Sequence, residues 1–224
     1  MTNCHLEERT AIRGFHDFLI SQVLPKYTAG RKRALDLGAG SGALAVRLRD
    51  SGLDVLAVDI EAGGFRAPVP FIRLDLNDPG FARSLRPEGG FDLITAVEVI
   101  EHLESPVGFL RNVRSLLNPG GAAVVTTPNV DNLPARAKFL VRGRLRGLDE
   151  QSEKTHITPV FWDLLTRQWL PRAGLNLAAH YRFPTGSYKL SRPKYAWTFW
   201  AIAKVFGGEC LLGDTHVFIL QPSG

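Results

Sequence analysis

Short apolar runs recur along the chain between stretches whose apolar positions fall three or four residues apart, and this alternation predicts stacked strands and helices. The runs predicted as strands are Ala34–Leu37, Val55–Asp59, Phe71–Leu76, Phe91–Val97, Ala122–Thr127, Leu177–Phe183 and Thr215–Leu220. Ile12, Phe15, Leu19 and Val23 share one helical face and predict an N-terminal helix ending before Pro25 and Gly30. Ala43–Arg49 predicts a second helix. A third starts at Ser105-Pro106, an N-cap with proline at the first helical position, and packs through Val107, Leu110, Val113 and Leu117. Asn118-Pro119-Gly120-Gly121 predicts a turn before strand five. The expected fold is α/β: a doubly wound, Rossmann-like sheet of seven mostly parallel strands, helices on both faces and an insertion after strand five. The last strand is expected to close the sheet.

One domain is expected over residues 1–224, with 1–30 an N-terminal helix, 128–175 an insertion or lid, and 184–214 an aromatic helical segment. In the insertion, Leu133, Ala137, Leu140, Val141 and Leu145 make an apolar helical stripe beside Arg136, Lys138, Arg142, Arg144 and Arg146, with no acid among them. Such a segment, 133–146, fits a lid with a solvated basic face, a peripheral contact with a membrane surface, or a nucleic-acid contact. Thr158-Pro159 predicts the cap of a helix carrying Val160, Phe161, Leu164, Leu165 and Trp169. Tyr195 to Phe206 is apolar nearly all round and predicts a helix buried in the core, in a homodimer contact, or against an apolar substrate.

Composition narrows the class without deciding it. With 45% hydrophobic and 22% charged residues the chain is neither disordered nor fibrous, and a net charge of +5 is far from histone-like. Cys4 and Cys210 lie near opposite ends without metal or framework spacing, so a reducing, cytoplasmic setting is expected. No apolar run approaches the roughly 20 residues of a membrane-spanning helix, and Glu7 and Glu8 break any secretory-signal pattern.

The chemistry begins at Asp36-Leu37-Gly38-Ala39-Gly40-Ser41-Gly42, where Gly38, Gly40 and Gly42 allow a tight turn that a ligand can approach closely. The spacing also satisfies a dinucleotide fingerprint, which points to a nicotinamide-dependent oxidoreductase. Asp36 argues against that reading, because a carboxylate beside the turn repels a pyrophosphate and suits S-adenosylmethionine, which carries a sulfonium and an ammonium instead. Asp59, at the end of strand two, is placed for the hydroxyls of an adenosine ribose. Asp75, beside Leu76, is either a partner for the adenine amino group or a loop-capping acid.

Past strand four, Glu98-Val99-Ile100-Glu101-His102 gathers two carboxylates and an imidazole, and helical spacing would turn 98, 101 and 102 to one side. With His156 folded back from the insertion, Glu98, Glu101, His102 and His156 form a candidate site for magnesium, manganese or zinc. Two other readings stand beside it: His102 as a general base without metal, and a structural role for all of them.

Through LDLGAGSG, VDI with Asp59, FDLITAVEVIEHL and LLNPGG, in that order, the sequence resembles the class I S-adenosylmethionine-dependent methyltransferases. The resemblance implies that the glycine loop holds the aminoacyl end of the cofactor, Asp59 the ribose, and the region of Val97 the sulfur. ExxEH with a distant His is closest to the ubiquinone-biosynthesis O-methyltransferase-like group, and is similar to small-RNA 2′-O-methyltransferases, whose matching residues bind magnesium. The implied activity is methyl transfer to a hydroxyl of a phenolic, glycosyl or lipid-linked small molecule, with Glu98 and His102 as catalytic candidates. RNA 2′-O-methylation is the same-chemistry alternative, and a non-catalytic cofactor-binding protein another. Where the family has a helix between strands two and three, Glu61–Pro70 here lacks one, which implies a shallower adenine wall.

Overall fold

The computed structural model describes residues 12–86, 90–148, 155–185, 198–202, 205 and 211–224. Seven strands, β1 (Arg33–Leu37), β2 (Asp54–Asp59), β3 (Phe71–Arg73), β4 (Phe91–Ala96), β5 (Leu117–Pro128), β6 (Leu175–Phe183) and β7 (Thr215–Pro222), make one sheet in the order β3-β2-β1-β4-β5-β7-β6. The first five strands are parallel, and β7 runs antiparallel to both β5 and β6. The Rossmann-like expectation holds, with one correction: β7 does not close the sheet. Val217, Phe218, Ile219 and Leu220 are buried on both faces, which requires a strand on each side, so β7 sits inside and the half-buried β6 becomes the edge.

Each face carries its own core. One packs Leu35, Leu37, Ile94, Val125 and Phe218 against α4 (Phe81–Leu85), α5 (Pro106–Leu116) and the helical segment before β6. The other packs Ala34, Ala57, Leu93, Val124 and Ile219 against α3 (Ala43–Asp50) and the N-terminal helix. That helix comprises α1 (Phe15–Phe18), a widened turn over Leu19–Val23 and α2 (Pro25–Thr28). Pro25 therefore opens the last turn instead of ending the helix, as suits a residue with no amide hydrogen to donate.

Local chemistry moved several other boundaries. Asp75 accepts from the Asn77 amide at 2.8 Å, and this turn stops β3 at Arg73. The Asn118–Gly121 turn is absorbed into β5 as a bulge opposite Phe91 and Leu93, with Gly120 at φ 74°. Thr158 does not cap a helix: its hydroxyl donates to the Leu103 carbonyl, and α7 (Trp162–Leu164) starts where Asp131 accepts from the Trp162 amide. A turn over Leu165–Trp169 then leads into α8 (Leu170–Ala173). The Ser105 cap forms as expected, accepting from Gly108.

The insertion contains α6 (Leu133–Arg142), and its expected stripe is split: Leu133, Ala137 and Leu145 are half-buried, whereas Leu140 and Val141 face solvent. Pro134 and Ala135 are buried, whereas Phe139, Leu140 and Val141 are 52%, 87% and 79% exposed. Within the aromatic segment, residues 198–202 are helical, and Phe199 and Trp200 pack with Leu133, Leu211 and Leu212. Most of the remaining span of 184–214, including Tyr195 and Phe206, lies outside the described residues. Among the described residues no helix is long and apolar enough to cross a membrane.

Candidate active site

Strand order reverses beside β1, and the loops leaving the carboxyl ends of β1, β2, β3, β4 and β5 open onto a cavity of about 1400 Å³. That exceeds the roughly 300–1,000 Å³ of a single small-ligand pocket, so a nucleoside and a second molecule fit together. Asp36, Gly38, Gly40, Asp59, Asp75, Leu76 and Val97, all proposed from the sequence, line it. Gly42 stands behind the loop, where a Cβ would lie 2.3 Å from that of Ala67.

At the glycine loop, backbone hydrogen bonding decides which ligand is compatible. The amides of Gly38 and Ala39 donate to the Val58 carbonyl, that of Gly40 to Asp59, and that of Gly42 to Ala39. These groups are committed to protein acceptors and leave no row of free N–H groups to cradle a diphosphate. Next to them Asp36 is buried, 2% exposed, with Oδ1 accepting from the Thr95 hydroxyl at 2.7 Å and Oδ2 without a hydrogen-bond partner. Burial pushes its carboxyl up to about 7, against the lowering effect of Thr95, while the charge of Asp59 adds to the rise. An orphaned, desolvated carboxylate oxygen facing a cavity is a place for a cation, and an ammonium fits it.

Asp59 uses one lone pair of each oxygen, accepting from Gly40 at 2.8 Å and from Glu61 at 2.9 Å, and a carboxylate has further acceptor capacity for ribose hydroxyls. Asp75 caps its loop and lines the cavity at once, so its two proposed roles are compatible. Without a helix after β2, Phe65 stacks on Phe71 at 4.4 Å and closes the loop, and Ile60, Leu74 and Leu76 supply the apolar wall.

After β4, Glu101, His102 and His156 converge, each offering a ligand atom within 4.8 Å of the others; the two histidines line the cavity and Glu101 is buried. The insertion is tied here by its backbone: Ile157 and Thr158 both donate to the Glu101 carbonyl at 3.0 Å. His102 Nδ1 lies 3.1 Å from the Thr155 carbonyl and His156 Nδ1 2.8 Å from that of Gly147. A carbonyl only accepts, so each Nδ1 carries a proton, and Nε2 is the ring atom of each that can act as a ligand. Glu98 lines the cavity but is not in this group; its backbone is left-handed at φ 55°, so the helical spacing assumed for 98, 101 and 102 begins only at Ile100. Two histidines and a carboxylate, with both rings oriented by outer-shell carbonyls, form a donor set suited to a divalent cation.

The sequence reading missed Thr95, which the β1–β4 register sets opposite Asp36, and His16, in α1, which lines the cavity together with Ile12. It also missed the pair of Arg146 and Asp214, 2.6 Å apart at the cavity rim. A polar residue inside the apolar run after Asp92 was a readable signal for Thr95. Nothing in the sequence links Arg146 with Asp214.

The model of the methyltransferase domain family matches residues 8–180. The chain belongs to this family. It is a class I S-adenosylmethionine-dependent methyltransferase, and the nicotinamide reading, already at odds with the committed loop amides, is set aside. The methyltransferase is 35% identical over 106 residues to a ubiquinone biosynthesis O-methyltransferase of Roseobacter denitrificans, covering 43% of this chain and 41% of that protein. It is 32% identical over 162 residues to one from Xanthomonas euvesicatoria, covering 65% of this chain and 63% of that protein. The matched stretches thus span less than two thirds of these relatives. A crystal structure of a SAM-dependent methyltransferase from Archaeoglobus fulgidus superposes with a TM-score of 0.59 at 18% identity, over 92% of this chain and 93% of that one, and shares the fold.

Proposed function

We propose that this methyltransferase acts on a hydroxyl of a small molecule, first of all an aromatic hydroxyl. The observation that carries the reading is that His102 and His156, grouped with the buried Glu101, line the same cavity as Asp36 and the glycine loop. Similarity to O-methyltransferases over part of their length supports it.

S-adenosylmethionine supplies the electrophilic methyl group. Asp36 holds its ammonium, Asp59 its ribose, and Ile60, Leu74 and Leu76 exclude water from its base. His102, fixed through Nδ1 by the Thr155 carbonyl, presents Nε2 to take the proton from an acceptor hydroxyl. In the alternative arrangement, magnesium, manganese or zinc held by Glu101, His102 and His156 would lower the hydroxyl pKa and orient the oxygen, with His102 Nε2 then a ligand instead of the base.

The test is methyl transfer to an ortho-diphenol, a glycoside and a short RNA, with the product identified by mass spectrometry. Transfer to the phenolic oxygen is expected, falling about 10²-fold or more in His102→Ala and His156→Ala. Chelation followed by metal addition separates the metal and base roles. Full activity in both variants, or methylation of the RNA alone, refutes the proposal.

A further inference from the structure

Charge is distributed unevenly along the cavity. Among the described residues that line it, Arg146 is the only lysine or arginine, against six acids. Asp36, Asp59, Glu61 and Asp75 belong to β1, β2 and β3 or the loops after them, and Glu98 follows β4. The sixth acid, Asp214, is the partner of Arg146, whose Nη1 donates to Oδ1 at 2.6 Å. Asp214 is itself anchored: its side chain is 5% exposed, Asn132 donates to the same oxygen at 3.3 Å, and its carbonyl accepts from the Asn129 amide. A carboxylate held in this way sets the plane of the guanidinium. A guanidinium donates from each of its nitrogens, and Asp214 occupies Nη1 alone, so the edge formed by Nε and Nη2 is kept for a second oxyanion. A pair built only to latch the insertion to β7 would gain more by meeting the carboxylate through both prongs.

We propose that Arg146, oriented by Asp214, binds a carboxylate on the methyl acceptor, so that the preferred acceptor is a hydroxylated aromatic acid. The proposal rests on the reading of this chain as a methyltransferase of aromatic hydroxyls and names the group that fixes the far end of its acceptor. Position along the sheet edge supports it. With the ribose at β2, the aminoacyl group at β1 and the sulfur beside β4, the cofactor ends at β4 in the order β2-β1-β4-β5-β7. Neighbouring strands are about 4.8 Å apart, so Asp214, at the start of β7, lies about 10 Å further along, past the donor and on the acceptor's side. One aromatic ring with a short acidic substituent spans that interval. With a single cation at hand and Glu98 and Asp214 in the same cavity, a carboxylate monoanion suits the site better than a dianionic phosphate ester.

The test compares ortho-diphenols that carry no acid, a carboxylate on the ring, or a carboxylate one or two carbons from it. The best of the acids is expected to exceed the neutral diphenol about 10- to 100-fold in kcat/KM, chiefly through KM. Arg146→Gln should collapse that ratio, and Arg146→Lys, which keeps a cation beside Asp214 but not the fork, should retain part of it. Because the ratio compares two acceptors on one protein, a general loss of folding cannot imitate the effect. Binding is read apart from turnover, by calorimetry of the matching monohydroxy acids and of phenol on the complex with S-adenosylhomocysteine. Tighter binding of the acid that Arg146→Gln abolishes supports the proposal even where no methyl is transferred, an outcome that would count against the O-methyltransferase reading alone. Equal binding of acid and phenol overturns the proposal. So does an acid preference that survives Arg146→Gln, or a loss of S-adenosylhomocysteine affinity in that variant as large as the loss for the acid, which would place Arg146 on the cofactor.

Discussion

Replacing Asp36 by Asn separates two consequences of one buried carboxyl. Its pKa stands at about 7 against an ordinary 3.8, so keeping it ionised above pH 7 costs the ligand-free fold at most about 4 kcal/mol. Because the folded chain holds this proton more tightly, the native protein carries no such cost below about pH 4 and loses stability from there up to about pH 7. Asn keeps an acceptor for Thr95, but its amino group lies where Oδ2 has no partner, at about 1–3 kcal/mol. The variant is therefore less stable than the native protein at low pH and more stable at high pH. At roughly 2–4 °C per kcal/mol for a chain of this size, the two melting-point curves cross and then separate by several degrees. Binding moves the other way. A cation at Oδ2 draws the carboxyl into its charged form, so the native protein releases about half a proton on binding at pH 7 and the variant none. Affinity for S-adenosylhomocysteine, whose ammonium remains, falls roughly 10- to 100-fold. Calorimetry in two buffers of different ionisation enthalpy measures both. Unchanged affinity, or melting curves that never cross, refutes the electrostatic reasoning.

Two further substitutions probe the frame around the site. In Gly42→Ala the new Cβ would lie 2.3 Å from the Cβ of Ala67 at φ 86°, so the left-handed backbone and the clash together cost about 2–4 kcal/mol; scanning calorimetry should show a melting point lower by about 4–16 °C. His216, buried against His180, has its pKa driven well below the usual range by burial first, then by the charges of His180 and Arg182. The unfolded chain therefore takes up a proton that the folded chain refuses, and stability falls as pH drops below about 6.5; His216→Phe should flatten that acid limb in urea titrations, and an unchanged slope would contradict the assignment.

The donor half of the site was legible because its residues are local to strand ends. Asp36, Gly38 and Gly40 follow one strand and Asp59 ends the next, so the order of apolar runs was enough to bring them to one edge. The acceptor half depends on distant pairings that leave no periodic trace. His156 reaches Glu101 and His102 through two backbone bonds to the Glu101 carbonyl, and Asp214 reaches the rim because Asn129 donates to its carbonyl across the start of β7. The split stripe of α6 has the same origin: periodicity finds an apolar face but not how far along it the packing extends. At Glu98 the periodicity itself failed, since a left-handed residue broke the expected helix at its first position.

This division would let the two ends of the cavity be altered separately within one fold. The donor end rests on Asp36 and Thr95 of two central, paired strands, so moving either disturbs a core buried on both faces. The acceptor end hangs on the insertion: Ile157 and Thr158 bonded to Glu101, His102 turned by Thr155, and His156 turned by Gly147. A change in the length or composition of residues 128–175 can then reposition His156 or remove it without touching the cofactor loop. On the proposed function, changes in the segment between β5 and β6 are accordingly expected to alter which acceptor is methylated before they alter cofactor binding.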